Sequence, residues 1–287
     1  MSEALTIVLL GTGSPLPDPN RAGPATLVRG DGATILIDAG RGVVMRLTAA
    51  GVLPSMLDAV LLTHLHSDHV TDLNDLITTR WVMSPQPSPL TIVGPPGTSA
   101  VVDGILAMLA LDIDYRLAHH ADLTSAPDPV VVEVTPGQHL AVGTCSVLVG
   151  ATDHRPVDPS VGYCVRLGDT AVVLAGDGVP CATLDALLAG ATAYVQSVIR
   201  EDLIALVPSA RFHDILDYHS TVGQAADTAQ RAGVEVLVLT HLVPAPPLGQ
   251  YDEWRQLAAG FRGELVIGDD LTSVTVDSGH RAAPTPA

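Results

Sequence analysis

Short apolar runs alternate along the chain with segments of helical periodicity. The apolar runs are rich in Val, Ile and Leu and are bounded by Gly, Pro, Asp or Asn, which predicts strands. The predicted strands cover residues 5–10, 25–28, 35–38, 59–63, 90–93, 130–134, 145–150, 160–166, 171–175, 193–195, 234–240 and 265–267. The predicted helices cover residues 42–50, 72–79, 98–111, 183–188, 221–232 and 252–261. This order predicts an α/β fold of the αββα type, with two mixed sheets face to face and helices on the outer faces.

The composition is that of a compact globular protein. The chain has 287 residues, of which 47% are apolar and 16% are charged. We expect a single domain over residues 1–279, followed by a disordered tail at 280–287 that is polar and contains proline. No apolar run reaches the roughly 18 residues that a membrane span needs, so we expect no membrane association.

The N-terminus and the cysteines indicate the compartment. Residues 1–10 contain no basic residue before their apolar run, which stops at Gly11, so we expect a first strand and no signal peptide. Cys145, Cys164 and Cys181 are widely spaced and odd in number, which does not match a disulfide framework. We therefore expect a protein of the reducing cytoplasm.

Acidic side chains outnumber basic ones by a wide margin. The chain has 31 Asp and Glu residues against 14 basic residues, all of them arginine, for a formal net charge of −17. Binding to nucleic acid depends on cationic side chains that neutralise phosphates. A chain this acidic repels a polyanion at long range unless its arginines gather on one face. The charge therefore weighs against a nucleic-acid partner without excluding one.

The strongest chemical signal lies directly after the predicted strand 59–63. His64 and His66 are two positions apart in an extended segment, so they point to the same side. Asp68 and His69 follow on the turn into a helix and can face the same cavity. Imidazole and carboxylate are ligands that Zn²⁺ accepts, and this cluster is large enough for two adjacent ions. A histidine-rich loop without metal is the alternative.

This pattern, His-x-His-x-Asp-His after an apolar strand, resembles the motif of the metallo-β-lactamase superfamily. Three further matches follow in order, each at the end of an apolar strand: His154, Asp177 and His241. For His154 and for His241, each taken alone, the alternative is a structural histidine that binds no metal. The resemblance implies the metallo-β-lactamase fold and a site for two Zn²⁺ ions, although the same ligands also accept Mn²⁺ or Fe²⁺.

The resemblance also distributes roles among the matching residues. It places His64, His66 and His154 on one ion, Asp68, His69 and His241 on the other, and Asp177 between the two. Asp38 matches the aspartate that orients a ligand histidine, with a simple turn residue as the alternative. Two ions about 3.5–4 Å apart lower the pKa of a shared water toward about 7, which gives a metal-bridging hydroxide as nucleophile. Asp68 would accept a proton from that water.

Two further segments are similar to the ribonuclease Z branch of this superfamily. Residues 11–21 read GTGSPLPDPNR, similar to the opening of that branch, and residues 218–221 read YHST, similar to its His-Ser-Thr element. The resemblance gives His219 the role of donating a proton to the leaving oxygen, with an incidental histidine before a helix as the alternative. Arg155, beside His154, would contact a phosphate or sulfate oxygen or else form a structural ion pair. A homodimer is also implied, with the helix after His69 as the contact.

Two features depart from that branch. Its bacterial members carry a long basic arm between the counterparts of His154 and Asp177, where this chain has room only for a hairpin. They also carry a glutamate that supports the catalytic histidine, where this chain has Gln196, which cannot act as an anion. Together with the net charge, these departures weaken transfer RNA as the expected substrate.

The sequence therefore predicts a two-zinc hydrolase of phosphodiester bonds, similar to ribonuclease Z. Its substrate would be either a small phosphodiester or the 3′ end of transfer RNA. An arylsulfatase-like or other small-ester hydrolase is the second hypothesis. A metal-binding scaffold without activity is the third, and the complete set of matching ligands argues against it.

Overall fold

The computed structural model describes residues 3–279. Within this range the strands are β1 (Leu5–Gly11), β2 (Ala25–Gly30), β3 (Ala33–Ile37), β4 (Ala59–Leu61), β5 (Thr91–Gly94), β6 (Val130–Glu133), β7 (His139–Val142), β8 (Cys145–Ala151), β9 (Val161–Leu167), β10 (Thr170–Leu174), β11 (Ala193–Ile199), β12 (Val236–Val243), β13 (Glu264–Ile267) and β14 (Ser273–Val276). The helices are α1 (Val43–Ala49), α2 (Ser67–Val70), α3 (Leu73–Met83), α4 (Thr98–His119), α5 (Ala182–Leu187), α6 (Glu201–Ile204), α7 (Ala210–Asp214), α8 (Val222–Ala232) and α9 (Asp252–Leu257). Two short 3-10 turns lie at Pro54–Met56 and Ile215–Asp217.

The strands form two mixed sheets of seven strands each. The first sheet has the order β14-β1-β2-β3-β4-β5-β6 and the second has the order β13-β12-β11-β10-β9-β8-β7. In the first sheet, β3 to β6 run parallel to one another; in the second, β10 to β13 do so. The remaining neighbours pair antiparallel. The predicted α/β fold with two mixed sheets is confirmed.

Three apolar layers hold the sheets and helices together. Between the sheets, inward side chains such as Leu61 and Val172 form a buried core. The outer face of the first sheet packs against α1, α3 and α4, and the outer face of the second packs against α5, α8 and α9. Strands with apolar side chains on both faces are what a sheet covered on both sides requires.

Helix α8 follows the predicted bounds and begins at the site described below. The Thr221 side chain accepts a hydrogen bond from the Gln224 backbone N–H, and the Gln224 side chain accepts one from the Thr221 backbone N–H. This reciprocal cap satisfies two backbone donors that the first turn leaves unpaired. The helix ends at Gly233, whose φ of 70° lies in the left-handed region that glycine adopts easily. The cap fixes the start of α8 directly after His219 and Ser220.

The differences from the predicted elements lie mainly at edges and in polar stretches. Strands β7 and β14 were not predicted, because at these sheet edges they carry too few buried apolar side chains. Strand β11 extends to Ile199 because the tertiary structure buries the polar Gln196 and Ser197. Helix α4 runs eight residues beyond the predicted end at 111, and α6 and α7 are too short for a periodic signal.

The single domain over residues 1–279 stays a prediction, and the predicted disordered tail at 280–287 lies outside the described residues. In the part of the chain that the structure describes, no helix is both long and apolar enough to cross a membrane.

Truncation of Leu61 tests the inter-sheet core. Leu61 is fully buried in β4, the strand that leads into the histidine segment. We expect Leu61→Ala to lower the free energy of unfolding by about 2–5 kcal/mol, because it removes buried methyl groups and leaves a cavity. Urea denaturation followed by circular dichroism measures this change. The control, Leu206→Ala, alters a side chain that is 78% exposed and should change stability by less than about 0.5 kcal/mol. Equal effects of the two variants would contradict this account of the core.

Candidate metal centre

The histidines and aspartates singled out in the sequence converge at one edge of the two sheets. His64 and His66 follow β4, and His66 precedes α2, which carries Asp68 and His69. The other sheet supplies the remaining members from the loop after β8, the loop after β10 and the C-terminal half of β12: His154, Asp177 and His241. Segments at strand ends can turn side chains inward while the sheets keep the backbone rigid.

The ligand atoms fall into two groups. His64, His66, His154 and Asp177 form one group, and Asp68, His69 and His241 form the other. Within each group the nitrogen and oxygen atoms all lie within 4.8 Å of one another. In the first group, His66 Nδ1 lies 3.1 Å from His64 Nε2 and 3.3 Å from His154 Nε2. In the second, Asp68 Oδ2 lies 3.2 Å from His241 Nε2 and 3.6 Å from His69 Nε2.

Asp177 belongs to the first group and also lies close to the second. Its Oδ2 atom is 3.4 Å from His69 Nε2, 3.4 Å from His241 Nε2 and 4.0 Å from His154 Nε2. Its carboxylate is buried, and its Oδ1 atom has no hydrogen-bond partner. A buried carboxylate oxygen without a partner is costly in an apolar interior. This position is the one that the resemblance implied for a bridging aspartate.

The donor set fits divalent metal ions. His69 Nε2 is also buried without a hydrogen-bond partner, although it faces the Asp177 carboxylate. Lone pairs of nitrogen and carboxylate oxygen that converge at such distances would oppose one another unless a cation lies among them. In the first group, His64 and His66 are followed by a third imidazole, His154, which completes a three-nitrogen set of the kind that Zn²⁺ accepts.

Hydrogen bonds to the far side of three imidazole rings fix which nitrogen faces the centre. His64 Nδ1 contacts Thr63 Oγ1 at 3.0 Å, and His154 Nδ1 donates to the Tyr218 carbonyl at 2.9 Å. His69 Nδ1 donates to Asp38 Oδ2 at 2.8 Å. With a proton held on Nδ1, each ring turns its Nε2 atom toward the centre.

Asp38 occupies the position expected for the orienting aspartate. Its carboxylate accepts hydrogen bonds from the Thr63 backbone N–H at 2.8 Å and from the Thr63 hydroxyl at 2.9 Å, in addition to that from His69. Its φ of 61° is in the left-handed region, which Asp adopts more readily than most side chains. These contacts join Asp38 to two neighbouring segments of the site.

Thr63 was not singled out in the sequence, yet it links two parts of the site. Its hydroxyl donates to Asp38 and contacts His64 Nδ1, so it joins the aspartate to a second imidazole. The signal available was only its place directly before His64. The carbonyls of Tyr218 and Ile215 were also missed, since a backbone acceptor carries no mark in the sequence.

Burial and neighbouring charges set the protonation of the side chains at the centre. Burial lowers the pKa of His64 well below its ordinary value and that of His154 to about 4, so both rings are neutral and can bind a metal. Burial alone would raise the pKa of Asp177, but His241 and His69 hold it well below its ordinary value. For Asp68, burial is likewise opposed by the hydrogen bond from His241, and the pKa is lowered. Both carboxylates are therefore ionised at neutral pH.

His219 lies against this cluster without belonging to either ligand group. Its Nδ1 atom donates to the Ile215 carbonyl at 2.9 Å, and its Nε2 atom lies 3.3 Å from Asp177 Oδ2. Burial acts to lower the pKa of His219, but the Asp177 carboxylate outweighs it and raises the pKa. The ring therefore carries a proton more readily than a free histidine and is placed beside the centre.

The structure gives Gln196 and Arg155 definite partners. The Gln196 amide donates to the Gly176 carbonyl at 3.1 Å and accepts from the Tyr194 hydroxyl, whereas His219 takes its support from the Ile215 carbonyl. Gln196 therefore takes no part in the hydrogen bond that supports His219. Arg155 forms an ion pair with Asp153, with Nη2 2.6 Å from Oδ2, and its side chain is 77% exposed.

Comparisons with known proteins agree with this geometry. Residues 33–242 match the Beta-lactamase superfamily domain. The chain is 53% identical to a ribonuclease Z of Mycolicibacterium gilvum over 98% of this chain and 99% of that one. It is 54% identical to a ribonuclease Z of Mycolicibacterium paratuberculosis over 96% of this chain and 99% of that one.

Solved structures share the fold at lower identity. The metallo-β-lactamase fold protein YhfI from Bacillus subtilis superimposes with a TM-score of 0.72 at 22% identity, covering 96% of this chain and 100% of that one. The short form of human tRNase Z superimposes with a TM-score of 0.69 at 24% identity, covering 94% and 98%. Identities this low establish the likeness of fold alone.

The fold and the converging histidines and aspartates define a metal-dependent hydrolase of the metallo-β-lactamase superfamily. Within that superfamily the chain belongs to the ribonuclease Z family, as its identity over nearly the whole length to two ribonucleases Z establishes. The family, the fold and the enzyme class expected from the sequence are confirmed.

Removal of the Asp38 charge tests the orientation of His69. We expect Asp38→Asn to weaken zinc binding about 10–100-fold, because the amide no longer holds the His69 tautomer and ring. Competition with a chromophoric chelator measures the affinity. The matched control is Asp58→Asn, since Asp58 also accepts a backbone N–H, from Thr34 at 2.7 Å, but is exposed and belongs to neither ligand group. An unchanged zinc affinity in Asp38→Asn would refute the orienting role.

Proposed function

We propose that the chain is a two-zinc phosphodiesterase that cuts precursor transfer RNA at its 3′ end. The observation that carries this proposal is the pair of ligand groups with Asp177 between them and His219 alongside. The substrate is inferred from relatives that are named ribonuclease Z and from the shared fold of human tRNase Z.

The proposed ligands follow the two groups. His64, His66 and His154 would hold one ion, Asp68, His69 and His241 the other, and Asp177 both. Bound divalent ions would supply Lewis-acid activation of water and of the phosphate oxygens. Zn²⁺ is favoured by the predominance of imidazole nitrogen, a donor set that Mn²⁺ and Fe²⁺ also accept.

Two side chains of the chain itself would move the protons. Asp68 is ionised and lies beside the centre, so it can accept a proton from the attacking water. His219 can donate a proton from Nε2 to the leaving ribose oxygen, because the Asp177 carboxylate favours its protonated form and the Ile215 carbonyl fixes its ring. The lowered pKa of Asp68 suits a base, and the raised pKa of His219 suits an acid.

Arg155 is the proposed contact to a substrate phosphate oxygen. It directly follows His154, and its ion pair with Asp153 is exposed, so a phosphate can replace the carboxylate at little cost. A bidentate guanidinium suits phosphate geometry.

The proposal also includes a homodimer in the cytoplasm. Helices α3 and α4 carry exposed apolar side chains, with Met83 59% exposed and Leu111 66% exposed, which a second copy of the chain would cover. The free Cys145, Cys164 and Cys181 suit a reducing compartment.

One observation favours a second candidate, a hydrolase of small phosphodiesters or aryl sulfates. Between His154 and Asp177 the chain forms only the antiparallel pair β9 and β10, so a long basic arm is absent from this described segment. With a net charge of −17, the surface also offers few cations for RNA. Both features fit a substrate that reaches the centre without an extended docking surface.

Substitution of His219 tests the proton donor. We expect His219→Ala to lower kcat for precursor transfer RNA about 10²–10⁴-fold with zinc content retained, because the acid is lost while the proposed ligands remain. Single-turnover cleavage and metal analysis measure both quantities. The control is His213→Ala on α7, an exposed histidine of the same segment, which should leave kcat unchanged. Full activity in His219→Ala would exclude it as the donor.

Parallel assays decide between the candidate substrates. We expect zinc-loaded protein to cut precursor transfer RNA at its 3′ end with a kcat/KM above that for bis(p-nitrophenyl) phosphate, and to lose most RNA cleavage as salt rises. Turnover of the small phosphodiester alone would favour the second candidate. Faster turnover of a matched aryl sulfate than of the phosphodiester would make it a sulfatase.

A further inference from the structure

His241 reaches the centre from an irregular point in β12. The pairing of β11 with β12 joins Ser197 to Thr240 and Val198 to Leu242, so His241 is an extra residue between two pairs. Its φ of 47° lies in the left-handed region, which non-glycine residues adopt only uncommonly. Such a bulge re-aims a side chain, and it persists only where the surrounding structure holds it.

The end of β1 holds the residues on both sides of this bulge. The Leu242 backbone N–H donates to the Thr12 carbonyl at 3.0 Å, and the Thr240 hydroxyl approaches the Gly11 carbonyl at 3.5 Å. The direction of the His241 side chain therefore depends on where Thr12 lies.

Thr12 is in turn fixed by two charged side chains. Its backbone N–H and its hydroxyl both donate to Asp270 Oδ1, at 2.9 and 2.8 Å. Arg21 Nη1 donates to the Thr12 hydroxyl oxygen at 2.6 Å. The Asp270 side chain is 5% exposed and that of Arg21 is fully buried.

Arg21 also reaches the segment that follows β12. Its Nη2 atom donates to the Pro246 carbonyl at 3.2 Å and pairs with Asp269 Oδ1 at 2.9 Å. One guanidinium thus contacts Thr12, directly after β1, and the loop that follows β12. A buried ion pair is weak support for stability, since apolar side chains of similar volume often serve as well. The rigid guanidinium fork of Arg21 is, however, suited to fixing the positions of the groups that it contacts.

We propose that Arg21 is a positioning residue for His241, acting through Thr12 and together with Asp270. This inference rests on the metal binding that the proposed function contains. The clamp formed by Arg21, Thr12 and Asp270 holds the bulge so that His241 Nε2 faces Asp68 and Asp177. Loss of the clamp weakens the metal position formed by Asp68, His69 and His241 and spares the position formed by His64, His66 and His154.

The matched pair Arg21→Lys and Arg80→Lys tests this inference. Arg80 is also buried and donates to three backbone carbonyls, those of Pro54, Leu57 and Ser88, but it lies on α3 away from the bulge. Zinc titration against a chromophoric chelator resolves the two binding steps, and Co²⁺ absorption reports the geometry of each position. Thermal unfolding of the metal-free proteins measures the structural cost of each change.

We expect Arg21→Lys to raise the Kd of one zinc step about 10–100-fold, with the other step within about twofold and one Co²⁺ band altered. Arg80→Lys should leave both steps unchanged at a comparable loss of stability. Thr12→Val, which removes only the hydroxyl from the clamp, should act in the same direction, and it carries the test if Arg21→Lys does not fold.

The outcomes separate this inference from the proposed function. Two unchanged steps in Arg21→Lys and Thr12→Val, or an equal loss of both steps, would overturn the positioning role while leaving the two-zinc site in place. The same selective loss in Arg80→Lys would also overturn it, since any buried arginine would then suffice. A wild-type protein that binds no zinc would overturn the proposed function, and the inference with it.

Discussion

The buried Asp177 carboxylate is the constraint around which the rest of the site is arranged. It lies within 4.0 Å of nitrogen atoms of His69, His154, His219 and His241, and none of its contacts in the described chain is to an arginine. An ionised carboxylate in such a place needs positive charge close by. Protonated imidazole can supply part of it, as the raised pKa of His69 indicates despite burial. Divalent ions would supply it fully and would also free the imidazole lone pairs.

The need for positive charge around Asp177 explains why both sheets contribute side chains to one site. The first sheet brings the histidine segment and Asp38, and the second brings His154, Asp177 and His241. The inter-sheet core fixes the distance between them, because close-packed apolar side chains allow little sliding. Around the ligands, Asp38, Thr63 and the Tyr218 carbonyl hold the rings by their far nitrogens. Geometry at the centre therefore depends on contacts that lie outside it.

The acidic surface and the compact hairpin bear on the substrate more than on the chemistry. The centre provides the groups that hydrolysis of a phosphodiester needs, whether the phosphate belongs to RNA or to a small molecule. Recognition of RNA needs cations as well, and this chain has only 14 arginines and no lysine. Several of these arginines are committed to structural contacts, including Arg21, Arg80 and Arg200. For that reason the groups at the centre do not by themselves distinguish RNA from a small phosphodiester, whereas comparison of their cleavage rates does.

The sequence by itself determined the fold class, the family and the candidate ligands. Apolar runs mark buried strands because a sheet covered on both faces needs them, and the order of His64, His66, Asp68 and His69 is visible in a single segment. Apart from Asp38, which the resemblance pointed to, only the tertiary structure decided which groups hold those ligands in place. The contacts of Thr63 with Asp38, of the Tyr218 carbonyl with His154 and of the Thr12 carbonyl with Leu242 join positions far apart in the chain, and no local pattern marks them. The left-handed conformations of Asp38 and His241 likewise lie beside long-range hydrogen bonds, to Leu61 and Thr12, which a sequence pattern does not encode.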